Sequence, residues 1–140
     1  MRLTYTPAPT PTITPSGTFG ALSTTYGTAS SSSSDLVVVS GGSLTSNITA
    51  TAPANFQLSA DGTNWAGTTT FTNNGGFASG NLFLRLASNA PAGTYSNLTV
   101  SLAASGASNQ TVAISNSTVN PKSLTVTGLA GADKVYDRTT

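Results

Sequence analysis

The sequence predicts an all-β protein, an antiparallel β-sandwich, and three observations carry that expectation. Short apolar and β-branched segments alternate with period two, most cleanly where Leu82, Leu84 and Leu86 interleave with Phe83 and Arg85. Turn-forming residues punctuate the chain between them, at Gly41-Gly42, Asp61-Gly62, Asn73-Asn74-Gly75-Gly76, Pro91-Ala92-Gly93 and Gly106. Nowhere do apolar residues recur with helical spacing over a helix-length window, so essentially no helix is expected. Roughly eight or nine strands in about 110 residues describe a sandwich. The alternative all-β architecture, a parallel β-helix, needs a fixed repeat of roughly 20–25 residues, and the sequence shows none.

Taken in order, residues 1–11 carry Pro7, Pro9 and Pro11 among Ala and Thr, the composition of an extended, semi-rigid linker. Ile13 opens the patterned region. Ser30 to Ser34 reads as a flexible polar loop, and Leu36 to Val39 as a strand buried on both faces that Gly41-Gly42 ends. Ile48 to Thr51 alternates until Pro53. Phe56 and Leu58 point one way, Gln57 and Ser59 the other, and the Asp61-Gly62 turn folds this strand back into a hairpin with the Trp65 segment. Thr69 to Thr72 around Phe71 is the next strand. After Leu82–Leu86, one long strand is expected from Tyr95 through Leu98, Val100 and Leu102. Val112, Ile114 and Val119 close the set before Pro121. The core expected from this reading is Leu36, Val38, Ile48, Phe56, Leu58, Trp65, Leu82, Leu84, Leu86, Tyr95, Val100, Val112 and Ile114.

The chemistry open to the chain is narrow. Five basic and four acidic side chains, with no histidine, cysteine or glutamate, remove the groups that usually carry proton transfer, nucleophilic attack and transition-metal binding. The expectation is no enzyme and no cofactor. Arg2, Arg85, Lys122, Lys134 and Arg138 are too few and too scattered for a nucleic-acid footprint. No apolar run approaches the roughly 20 residues of a membrane span. About a third of the residues are Ser or Thr, so solubility rests on hydroxyls and is insensitive to salt.

Three candidate features remain. Asp133 and Asp137 are candidate calcium ligands, two carboxylates without an EF-hand pattern. Trp65 is the candidate ligand-binding residue, with Phe83, Tyr26 and Tyr5 as further rings for stacking on a glycan. A lone Trp in such a sandwich is more often a core anchor, so an exposed Trp65 favours binding and a buried one favours a spacer. The loops Gly41–Asn47 and Asn73–Gly80 are candidate contact surfaces for a glycan or a protein. An ice-binding threonine ladder is not expected, because the Thr-x-Thr pairs are scattered along the sequence.

Phe56-Gln57-Leu58-Ser59-Ala60-Asp61-Gly62-Thr63-Asn64-Trp65 resembles the F-x-V-S-x-D-G-x-x-W hairpin of an immunoglobulin-like domain repeated in large bacterial surface proteins. Leu82–Leu86 with Ala90-Pro91-Ala92-Gly93-Thr94-Tyr95-Ser96 resembles the V-x-V-R-L…A-G-x-Y-S segment of the same domain. Tyr95 then matches a tyrosine-corner position, its ring buried and its hydroxyl on backbone. Ser123–Leu129 followed by Ala132–Thr140 resembles the opening of the Tyr-Asp-Gly repeat of bacterial filamentous adhesins, with Arg138 where that family has Gly. The resemblance implies a linker over 1–11, an immunoglobulin-like β-sandwich over 12–120, and a linker with the truncated start of a next repeat over 121–140. It implies a spacer or adhesin module of an exported surface protein, extracellular or at the cell surface, with the export signal outside this sequence. The implied partners are neighbouring domains of the same polypeptide, a glycan or cell-surface protein, and a second chain through strand pairing of the C-terminal segment.

Overall fold

The computed structural model describes residues 3–128. Eleven strands and no helix are found among them. One antiparallel sheet holds β1 (Thr12–Ser16), β3 (Val37–Gly42), β7 (Ala78–Leu86) and β5 (Phe56–Ser59), in the order β1-β3-β7-β5. A second holds β10 (Gln110–Ile114), β9 (Leu98–Ala103), β4 (Ile48–Thr51) and β6 (Thr68–Phe71), in the order β10-β9-β4-β6. A small third sheet places β11 (Ser117–Asn120) between β2 (Ser23–Thr25), to which it is parallel, and β8 (Gly93–Tyr95).

The protein is a β-sandwich. Its strand order β1-β3-β7-β5 opposite β10-β9-β4 is that of a constant-type immunoglobulin arrangement, with β6 added beside β4. The inner faces close on one cluster, in which Val37, Val39, Leu58, Leu82, Leu84, Leu86, Ile48, Val100 and Leu102 are essentially inaccessible. Each large apolar side chain so buried contributes roughly 1.5–3 kcal/mol before entropy is subtracted. The Phe56–Leu58 strand meets the Trp65 segment as expected, with Leu58 and Ala66 exchanging both backbone hydrogen bonds at 2.7 and 3.0 Å.

Several sequence expectations are corrected. Leu36 is 63% exposed and Val38 only half-buried, while Val37 and Val39 are fully buried. Pairing sets that phase: Val37 lies opposite Leu82 and Val39 opposite Gly80, so alternation turns Val38 outward. The strand does end at Gly41 and Gly42, and both glycines are still paired, with Ile13 and Thr12. A Cβ on Gly41 would lie 2.8 Å from Ile48 and 2.9 Å from Leu44, so the missing side chain is room for those two. Gly80 does the same for the Phe71 ring of the opposite sheet.

Tyr95 and Leu102 do not share a strand. Asn97 takes a positive φ of 56°, and the chain passes from β8, paired with β11, to β9, paired with β10 and β4. Tyr95 is half-buried against the core rather than inside it. The Ser30–Ser34 run is tied to β7: Ser30 and Ser33 donate backbone bonds to the Leu86 and Leu84 carbonyls, and the Ser30 hydroxyl accepts from Leu86 N–H at 2.9 Å. These serines continue the pairing of β7 where β3 stops. Trp65 is half-buried and absent from the core cluster. Ile13, Phe19, Leu22, Leu44 and Phe71 are core residues that the alternation alone did not single out.

The path of the chain through the sandwich is directional. Thr12 faces Gly42 at the end that carries the β3–β4, β6–β7 and β9–β10 loops. Asn120 lies opposite Thr25 and accepts from Tyr26 N–H, and Gly27 N–H bonds the Ser88 carbonyl beyond the far end of β7. The folded unit is therefore entered at one end and left at the other.

Candidate functional site

Three loops meet at the end where the chain enters. Leu44 N–H donates to the Gly76 carbonyl at 2.9 Å, and the Asn73 amide donates back to the Leu44 carbonyl at 3.1 Å. Asn73 N–H bonds the Asn47 side-chain oxygen, and the Asn73 side-chain oxygen accepts from Gly76 N–H, both at 2.9 Å. Ser105 N–H bonds the Ser46 hydroxyl at 2.9 Å, which ties in the β9–β10 loop. The two loops expected to carry contacts are thus one rigid unit.

Asn74 and Phe77 close a hairpin turn through paired backbone bonds of 2.7 and 3.2 Å. Gly75 and Gly76 both have positive φ, 62° and 91°, which a type I′ turn demands. Ala78 takes the inward position, so Phe77 faces out, 69% exposed at the tip. Thr72, Asn74 and Ser79 are exposed around it and line, with Phe77, a shallow depression. Alternation carries a signal for Phe77: stepping back by twos from Leu82 reaches Ala78 and leaves Phe77 on the outer side.

Trp65 sits elsewhere, on the outer face over β5 and β7. The Arg85 guanidinium carbon lies 4.5 Å from the Trp65 ring centroid, and Arg85 Nε donates to the Gln57 side-chain oxygen at 2.9 Å. A cation–π contact therefore covers one face of the indole. Of the other candidate rings, Phe83 is half-buried, Tyr26 is 49% exposed and Tyr5 is 87% exposed. Asp61 serves its turn: its carboxylate accepts from Asn64 N–H and Thr63 N–H at 2.8 Å, from the Ser59 hydroxyl at 2.8 Å and from the Asn64 amide at 2.6 Å. Those bonds, the two backbone ones first, hold its carboxyl well below the usual carboxylate range.

Asp133 and Asp137 lie outside the described residues. Among the described residues no group of three or more metal-ligating side chains is present, and no helix is long and apolar enough to cross a membrane. The outer face of the second sheet carries a charge-free array in which Thr111, Ser101, Thr51 and Thr68 align across four strands, with Thr49 beside Thr70. All six are exposed. Strand pairing thus stacks threonines that sequence spacing left scattered, although a sheet twist of about 20–25° per strand keeps such an array from being a flat lattice.

No family model, no curated protein and no solved structure matches this chain.

Proposed function

We propose that the chain is a non-catalytic structural module, a spacer repeat of an exported bacterial surface or adhesin-like protein. The observation that supports this most is its path: entry beside Gly42 and exit beside Tyr26, at opposite ends of the sandwich. Modules entered and left this way join end to end and add length. The segments nearest the two ends also run side by side in the same direction. Phe19 N–H bonds the Ala113 carbonyl at 3.0 Å and Ser115 N–H the Phe19 carbonyl at 2.9 Å. Farther along, Thr118 N–H bonds the Leu22 carbonyl at 2.9 Å, and Leu22 N–H the Ser117 hydroxyl at 3.1 Å. Tension between the ends slides these segments along each other and loads their bonds together, rather than peeling them apart one at a time. The cysteine-free, Ser/Thr-rich composition, typical of large bacterial surface proteins, supports an exported setting.

Spin labels at Thr12 and Asn120, both exposed, test the path. The eleven residues of Gln110–Asn120 span roughly 33 Å at strand rise, and a single distance near that value is expected. A tandem of two copies should scatter as a rod about twice as long. A short label distance, or a folded-back tandem, contradicts the spacer role. A second reading, recognition of a glycan or protein through the loops, is favoured by the bare Phe77 ring.

A further inference from the structure

We propose that the depression beside Phe77 binds a neutral saccharide, held by stacking on the ring and by hydrogen bonds to amide and hydroxyl groups around it. This rests on the recognition reading and gives it a place and a ligand class, independently of the spacer role.

Phe77 contributes nothing to the core cluster, since Ala78 fills the inward position next to it. Its ring is 69% exposed, an apolar face held in water at a turn tip. Around it the Thr72 and Ser79 hydroxyls and the Asn74 amide are exposed, and none makes a hydrogen bond to another described residue. A pyranose has the complementary surface: an apolar C–H face that stacks on a ring, edged by hydroxyls that both donate and accept. An amide and two hydroxyls offer both donors and acceptors.

The lining carries no charge. A phosphate, a uronate or a peptide terminus would find no counter-ion there, which selects a neutral ligand. The frame is also preorganised. Asn73 uses its backbone N–H, its side-chain oxygen and its amide to fix both loops, so the backbone that carries Phe77 and Asn74 is ordered before a ligand arrives. The depression is shallow, so one sugar residue is gripped weakly, and repeated modules would raise the avidity.

The test is a backbone-amide NMR titration of the full chain with neutral oligosaccharides of glucose, galactose, mannose and N-acetylglucosamine, beside uronate and sialic-acid counterparts. Saturable shifts centred on residues 72–79 are expected with at least one neutral sugar and none of the acidic ones. Phe77→Ala should weaken that binding by about tenfold or more with an unchanged melting temperature, and Phe77→Trp should retain it. Equal binding by Phe77→Ala, or a preference for the acidic sugars, overturns the proposal. Shifts centred on Trp65 overturn this site while leaving glycan recognition standing. No binding to any saccharide overturns both this site and glycan recognition, and leaves the label distance between Thr12 and Asn120 as the separate test of the spacer.

Discussion

The Tyr95 hydroxyl donates a 2.7 Å hydrogen bond to the Pro91 carbonyl, and its ring meets Phe56 edge-on with centroids 5.7 Å apart. One side chain thus pins the turn before β8 and packs on the end of β5, a tyrosine-corner hydrogen bond made from β8, just ahead of β9. Tyr95→Phe keeps the ring and loses the bond, which should cost about 1 kcal/mol in a urea melt. Tyr95→Ala also loses the aromatic pair and its packing, and should cost about 2 kcal/mol or more.

Leu84 and Leu36 test the phase of the sheet. Leu84 is fully buried and Leu36 is 63% exposed. Leu84→Ala should destabilise by about 2–5 kcal/mol, whereas Leu36→Ala should stay within about 0.5 kcal/mol of the parent. Equal midpoints for the two variants in chemical denaturation contradict the assigned register.

Ser30 carries a buried bond. Its hydroxyl accepts from Leu86 N–H at 2.9 Å and donates to the Ser31 carbonyl at 2.8 Å. Ser30→Ala leaves the buried Leu86 N–H without that partner, at an expected cost of about 1–3 kcal/mol. Hydrogen exchange at Leu86 should accelerate more than at Val100, which lies in the other sheet.

Asp61 predicts an acid response. Its folded-state pKa lies below the unfolded one, because the charged carboxylate accepts several bonds in the turn. The stabilisation is therefore present above the unfolded carboxylate value of about 3.9 and is lost as pH falls through the folded value. Thermal melts of the parent should drop on acidification below about pH 4, and Asp61→Asn should flatten that drop. An identical acid profile for the two proteins contradicts this role.

The alternation in β4, β5, β7 and β10 was legible because each strand shows one apolar and one polar face. The phase of Leu36–Val39 was not, since four consecutive apolar residues carry no alternation, and the Val37–Leu82 pairing decides it. Phe19 and Leu22 stand alone among Gly, Ser and Thr; their burial comes from bonds to residues about 95 positions away. Ser30 and Ser33 look like loop residues because their partners on β7 are equally remote. At the candidate site, the two contact loops were visible as turn-rich segments. Their union depends on Asn73, whose three bonds to residues 44, 47 and 76 have no local sequence signature. Trp65 was singled out as the only tryptophan, yet Arg85 on a neighbouring strand occupies its face.

The most direct test of the spacer reading is single-molecule pulling in two directions. The chain has no native cysteine, so handles can be placed through Thr12→Cys with Asn120→Cys, or through Thr12→Cys with Gly42→Cys. The first pair loads the parallel terminal segments in shear, and the second peels β1 from β3. Forced unfolding reports the unfolding barrier along the pulled direction. The rupture force is expected to be severalfold higher between residues 12 and 120 than between 12 and 42. Equal or lower force along the 12–120 direction would contradict a module built to carry tension from end to end.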